Sequence, residues 1–381
     1  MKPVFAAVAA ATLMAVAQGA VAQIKIGITV SETGPAASLG KVEKNTLMLL
    51  PKNIGEHSVQ YVMLDDASDT TIAVRNARKL VGDDKVDAII GSTTTPNSIA
   101  ITEVAAETGT PLMAMGAGAA IVQPVDDKKK WVFKPVQNDG MMVHAIVEHM
   151  VKTGMKKIGY IGFSDATGEG YWNALVPLAE KAGLELVASE RYQRTDTSVT
   201  GQILKLTAAQ PDAILIAASG TPAALPQKAL KERGYAGRIY QTHGVANNDF
   251  LRVCGKDCEG TYLPVGPLLV AEQLPDSPSR RVSMDISARY EQAYGKGSVT
   301  TFISNAYDSY LLLEHAIPTA LKSAKPGTRE FRQALRDALE ATKDFSGTQG
   351  VYNMSAQDHV GLDDRARVIV RIQNGAWVVD K

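Results

Sequence analysis

Four consecutive hydroxyl side chains, Ser92, Thr93, Thr94 and Thr95, lie between the apolar run AIIG and Pro96, and a second apolar run, PLMAM, ends in Gly116-Ala117-Gly118. Hydroxyls and small-residue amides with no acid among them suit an anion. Thr95 is placed as a helix N-cap and Pro96 as the first helical residue, where a missing N–H costs nothing. The amides of that first turn then point past the end of the preceding strand, and the small residues let a ligand come close to the backbone. Such a site holds an anion without breaking bonds in it.

Bond-breaking chemistry finds no residues to carry it. There is no GxSxG elbow, no HExxH pair and no Walker A loop. GAGAAI at Gly116 lacks the third glycine of a dinucleotide loop and comes late in the series of elements. His144 and His149 are five residues apart on one expected helix, so they share no face, and His57, His315 and His359 have no obvious partners. Asp165 and Glu169 in DATGEG read either as an acid pair or as a helix cap and a first-turn acid that complements the helix dipole. At 6% aromatic residues the chain is poor in the rings a glycosidase stacks on sugars. No catalytic residue, cofactor or metal is expected. His243, in the turn QTHG, stands apart because a side chain at a strand end points into a crevice, where it serves as a ligand contact or as turn structure.

The elements that must position these residues alternate strand and helix, which argues parallel sheets with helices on both faces, an α/β class. The strands are expected at IKIGITV from Ile24, VQYVMLD from Val59, DAIIG and PLMAM. After KWVFKP the series restarts with a helix over 141–153, then KIGYIGF, a helix over 170–182, LELVASE, a helix over 200–209, DAILIAAS, a helix over 222–233 and RIYQTHG. Residues 271–341 are mostly helical, and RVIVRIQ and AWVVD end the chain as a strand pair. Two doubly wound, Rossmann-like lobes are therefore expected, with ligands bound outside the carboxyl ends of the strands. The Pro-rich stretch 264–278 is a candidate crossing between them.

Lys2 and an alanine-rich apolar run ending Ala20-Val21-Ala22 read as a secretory leader, residues 1–22, cleaved after Ala22. The remaining chain is longer than the roughly 250–300 residues at which one core usually divides. Charge is balanced, with 40 basic and 40 acidic residues and no basic stripe, so nucleic acid is not an expected partner. The two cysteines, Cys254 and Cys258 in CGKDC, are expected to close a small disulfide loop in an oxidising compartment, since a metal site would lack ligands.

The opening IKIGITVSETGPAASLG, the segment LDDASDTTIAVRNARKLV, IIGSTTTPNSIAI, DATGEGYW and NAYDSYLLLEHAI together resemble the leucine/isoleucine/valine-binding type of periplasmic solute receptor. The resemblance runs over the whole mature chain. It implies the type I periplasmic-binding-protein fold, a monomer of two lobes joined by three crossover strands. The lobes close like a hinge on a small-molecule ligand and pass it to an inner-membrane ABC permease. Lobe 1 is expected over residues 24–136 plus 267–345 and lobe 2 over 137–266 plus 346–381. In such receptors a carboxylate is gripped at the turns matching Thr95 and Gly116, Ala117 and Gly118. An acid in the second lobe holds the ammonium of an amino acid. The turn matching that acid is QTHG, which puts His243 there, and an ammonium without its partner in a closed cleft loses roughly 3–5 kcal/mol. Thr167 stands where amino-acid receptors often have a tyrosine, and Ser219-Gly220-Thr221 replaces an aromatic stretch. Ser68 and Thr94 occupy positions that carry a cysteine pair in some relatives. The expected ligand is a carboxylate without an amine, an aromatic acid such as a benzoate, contacted by Thr95, Gly116, Ala117, Gly118, Thr167, Ser219, Gly220 and His243. The alternatives are a branched-chain or other amino-acid receptor and a sensing domain that partners a receptor kinase.

Overall fold

A computed structural model describes residues 23–380. The leader read at residues 1–22 lies outside the described residues, among which no helix is long and apolar enough to cross a membrane.

The first sheet has six strands, β1 (Ile24–Val30), β2 (Asn53–Ile54), β3 (His57–Asp65), β4 (Ala88–Gly91), β5 (Leu112–Met113) and β6 (Val132–Phe133), in the order β2-β3-β1-β4-β5-β6. All its pairs are parallel except β2 with β3. The helices α1 (Ala37–Leu47), α2 (Thr70–Gly82) and α3 (Thr95–Thr108) return the chain between strands. Asp69 caps α2 by accepting the Ile72 N–H.

The second sheet contains β7 (Lys157–Phe163), β8 (Glu185–Tyr192), β9 (Ala213–Ala217), β10 (Arg238–Gln241) and β11 (Tyr262–Val265). Its helices are α4 (Asp139–Lys152), α5 (Ala166–Ala182), α6 (Thr200–Ala208), α7 (Ala224–Glu232) and α8 (Asn248–Cys254). Strand β9 shows why layers form on both faces: Ala213, Leu215 and Ala217 join one core while Ile214 and Ile216 join the other, the period-two alternation of a strand buried on both sides.

The chain then returns to the first lobe through α9 (Pro278–Tyr294), α10 (Phe302–Ala320) and α11 (Arg329–Glu340), whose Ile286, Ile303, Leu313 and Leu335 belong to the first core. A small hairpin follows, β12 (Phe345–Ser346) with β13 (Val351–Tyr352), before β14 (Val368–Gln373) and β15 (Ala376–Val379) complete the second sheet in the order β15-β14-β11-β10-β9-β7-β8. Here the structure corrects the lobe boundary. Tyr352, Met354, Val360, Leu362 and Ala366, expected in lobe 2, pack in the first core, so the return to lobe 2 comes only at β14.

The chain thus crosses between lobes three times, after β6, after β11 and before β14. Leu268 lies in the first core and Val270 in the second, which places the middle crossing inside the Pro-rich stretch. Gln137 on the first crossing donates to Gln349 Oε1 (2.7 Å) and to Ala366 O (2.6 Å) near the third. Lys134, fully buried on the first crossing, donates to the carbonyls of Ala117, Val136 and Gln137, while burial pulls its pKa down to about 7.

The expected bridge between Cys254 and Cys258 is not formed in the structure. Both are buried free thiols in the second core, and in the turn after α8 the Cys258 thiol donates to the Gly255 carbonyl at 2.9 Å.

Candidate ligand-binding cleft

The carboxyl ends of both sheets face each other across a narrow cavity of about 40 Å³. The first lobe contributes Thr93, Thr94, Thr95 and Ala117, backed by Leu39 and Met115, with Phe302 and Asn305 from α10. The second contributes Thr167, Tyr171, Arg194, Ser219 and His243. Thr95, Ala117, Thr167, Ser219 and His243, named from the sequence, therefore meet at one place. Gly116, Gly118 and Gly220 do not line it.

The first wall differs in detail from the sequence expectation. Thr94, not Thr95, caps α3, accepting the Asn97 N–H at 3.4 Å, so Thr95 opens the helix and Pro96 follows it. Thr95 accepts the Gly118 N–H instead (3.1 Å), and that amide is no longer available to a ligand. The glycines here serve close packing. A Cβ on Gly116 would come 2.9 Å from the backbone N and Cα of Thr95, and one on Gly118 would come 2.4 Å from its Cγ2. Gly220 acts between the lobes. At φ +64° it lets the second lobe approach α1, where a Cβ would meet Leu39 Cδ1 at 2.9 Å.

Behind this wall lie two buried acids. Thr93 donates to Glu43 Oε2 (2.5 Å) and accepts the Ser31 N–H (3.0 Å). Burial pushes the Glu43 carboxyl up to about 8, against the opposing hydrogen bond from Thr93. Ser92 and Ser31 both turn away from the cavity to Asp66, at 2.5 and 2.7 Å.

The second wall is ionic. Asp165 caps α5 by accepting the Thr167 N–H (2.8 Å), and it also accepts from Arg194 Nε (2.6 Å). Arg194 donates further to Thr167 Oγ1 (2.8 Å) and Ser219 Oγ (3.2 Å), with its guanidinium 4.1 Å above the Phe163 ring. Glu169 is engaged by Arg191 Nε (2.5 Å), which stacks on Tyr160 and Trp172. His243 lies 3.0 Å from Tyr171 OH, and burial holds its pKa down at about 3, so the ring is neutral near pH 7.

Arg194, Tyr171 and Asn305 escaped the sequence reading. The signal for Arg194 was present, since RYQR closes strand β8 and the strand-end rule applied to the other turns covers this one as well. Among the described residues, no group of three or more His, Cys, Asp or Glu is placed to hold a metal ion.

The chain is 24% identical over 261 residues to Leu/Ile/Val-binding protein homolog 3 of Brucella melitensis, covering 67% of this chain and 70% of the relative. An extracellular ligand-binding receptor from Rhodopseudomonas palustris HaA2 superposes with a TM-score of 0.92 at 50% identity, over 94% of this chain and all of that one. Two ABC-transporter solute-binding proteins from R. palustris share the fold, each over 94% of this chain and 95% of their own length. One, in complex with 4-hydroxybenzoate, has a TM-score of 0.79 at 18% identity. The other, in complex with benzoate, has 0.78 at 21%. The model of the periplasmic binding protein family matches residues 23–376, and the chain belongs to that family, with the leucine/isoleucine/valine-binding proteins as its relatives.

Proposed function

We propose that this protein is an exported receptor that captures a small aromatic carboxylate of the benzoate type between its lobes and delivers it, chemically unchanged, to an ABC permease. One observation carries the reading: among the described residues, no carboxylate side chain lines the cavity. Asp165 and Glu169 are both engaged, Asp165 by Arg194 and Glu169 by Arg191, and the position expected to carry the acid holds a neutral histidine. Leu39, Met115, Tyr171 and Phe302 offer apolar surface to a ring. The benzoate and 4-hydroxybenzoate held by the two R. palustris receptors of the same fold support the ligand class. Two or three charge-assisted hydrogen bonds at about 1.5–3 kcal/mol each, with about 150 Å² of apolar burial worth about 4 kcal/mol, are enough for micromolar binding after association costs. Export rests on the leader at residues 1–22 and on the family.

A thermal-shift panel tests it. Benzoate and 4-hydroxybenzoate at a hundredfold excess over Kd are expected to add about 2.7 kcal/mol of stability, with leucine and valine adding nothing. A strong shift by leucine with none by the benzoates would overturn the reading. Mass spectrometry after long incubation is expected to recover the acid intact.

A further inference from the structure

The two walls of the cleft hold their hydrogen-bond donors in different states. On the first wall the Gly118 amide is bound to Thr95, the Asn97 amide to Thr94 and the Thr93 hydroxyl to Glu43. What remains there is neutral: the hydroxyl protons of Thr94 and Thr95 and the backbone N–H groups of Thr95 and Ala117, with Glu43 and Asp66 beneath them.

On the second wall Arg194 is, among the described residues, the one charged side chain that lines the cavity. Three of its five N–H groups are engaged by Asp165, Thr167 and Ser219, which leaves two. Thr167 Oγ1 and Ser219 Oγ each accept from the guanidinium, and neither hydroxyl donates to a protein group among the described residues, so both protons are available to a ligand. The arrangement is held rigid: the Arg194 side chain is 14% exposed, stacked on Phe163 and fixed by Asp165 at its far edge. Donors that converge from a fixed guanidinium make hydrogen bonds to a carboxylate about twice as strong as neutral ones.

We propose that the ligand carboxylate is seated on the second lobe, against Arg194 and the Thr167 and Ser219 hydroxyls, and that Arg194 is the residue that selects for an anion. The first wall, Thr94, Thr95 and Asn305, then receives the opposite end of the ligand. This orientation is the reverse of the one implied for Thr95 and Gly116–Gly118 by resemblance, and it rests on the carboxylate-receptor reading above.

The test is calorimetric titration of benzoate, its uncharged isostere benzamide, and leucine into the wild type, Arg194→Gln and Thr95→Val, each checked for folding by circular dichroism. Arg194→Gln is expected to lose roughly 100-fold of the benzoate affinity and most of the preference for benzoate over benzamide. Thr95→Val is expected to lose roughly tenfold or less. Because Arg194→Gln leaves Asp165 without its partner, the double variant Asp165→Asn/Arg194→Gln removes both charges while keeping a competent cap, and the same loss is expected of it. Folded Arg194 variants that keep benzoate affinity and selectivity, with Thr95→Val losing them, would overturn the assignment. If the wild type binds leucine and not benzoate, the aromatic-acid reading falls while the two variants still decide which wall takes the carboxylate. Binding of none of the three probes removes both.

Discussion

The two walls of the cleft are built on the same plan, a strand end, a hydroxyl-bearing turn and a helix start, yet they solve the problem of polarity in opposite ways. The first wall is neutral and close-packed: its hydroxyls bind its own amides, its glycines bring backbone onto backbone, and the acids beneath it are buried. The second is charged and braced by ion pairs over aromatic rings, Arg194 on Phe163 and Arg191 on Tyr160 and Trp172. A wall whose donors are all neutral provides shape. One with a fixed guanidinium and undirected hydroxyl protons provides charge recognition. The same fold can therefore change ligand class by altering one side of the cleft and leaving the other alone.

The harshest way to break this contrast is to put an acid on the charged wall. His243→Glu replaces a neutral ring beside Tyr171 with a carboxylate in a buried position. A buried charge without a partner costs about 3–5 kcal/mol, so benzoate affinity at pH 8 is expected to fall by about 100-fold or more. Leucine, which brings its own ammonium, is expected to gain. Calorimetry of both ligands reads the exchange, and unchanged benzoate binding would mean that His243 stands outside the ligand's field.

The next effect belongs to the close-packed wall. Gly116→Val places a side chain 2.9 Å from the backbone of Thr95, which must move, and a stability loss of about 1–3 kcal/mol is expected in urea unfolding. Gly201 in α6 has open space around its Cβ position, and Gly201→Ala is expected to gain about 0.5–1 kcal/mol. Equal effects at the two sites would show that the tightness of the first wall is not structural.

The contrast also explains what was legible in the sequence. The alternation of apolar runs and helical periods laid out both lobes, because it depends on neighbours in the chain. The hydroxyl turn before Pro96 was likewise visible, although the cap moved by one residue, from Thr95 to Thr94. Arg194 was hidden because its partners, Asp165, Thr167 and Ser219, are 25 to 29 residues away and meet it only once β8 lies beside β7. The partners of His149 were hidden for the same reason: it is buried, 2.8 Å from Tyr240 OH and 3.1 Å from Asp380 at the far end of the chain. The segment carrying Tyr352 to Ala366 was assigned by its place in the chain, and its apolar residues chose the first core because Asp308 and Pro135 there take the Tyr352 hydroxyl.

The buried acid behind the first wall gives a pH signature opposite in sign to that of His243 on the second, whose burial in the neutral form costs stability as pH falls below 6.5. The Glu43 carboxyl has an ordinary pKa of 4.5 and is raised to about 8 in the folded protein. Between those values the folded state holds a proton that the unfolded chain has released. Its contribution to stability is complete below about 4.5 and is lost as pH rises through about 8. Glu43→Gln removes the titration, so its stability relative to wild type is expected to climb by at most about 1.4 kcal/mol per pH unit across that window. Parallel unfolding curves from pH 5 to 8 would show Glu43 to be ionised in the folded state.

The smallest effect sharpens the role of the neutral pair at His243. Tyr171 OH and the His243 ring share one hydrogen bond at 3.0 Å, and burial raises the tyrosine well above its ordinary pKa, so neither partner ionises near neutral pH. Tyr171→Phe keeps the ring and deletes that bond, at a cost of about 0.5–1.5 kcal/mol. If the pair orients the imidazole so that its other nitrogen meets a ring hydroxyl next to the carboxylate, the loss falls on 2-hydroxybenzoate and spares benzoate. If the pair only packs the turn, both acids lose alike. The ratio of the two affinities decides between these, because it cancels any general loosening of the wall: orientation changes the ratio by about threefold to tenfold, whereas packing leaves it at its wild-type value.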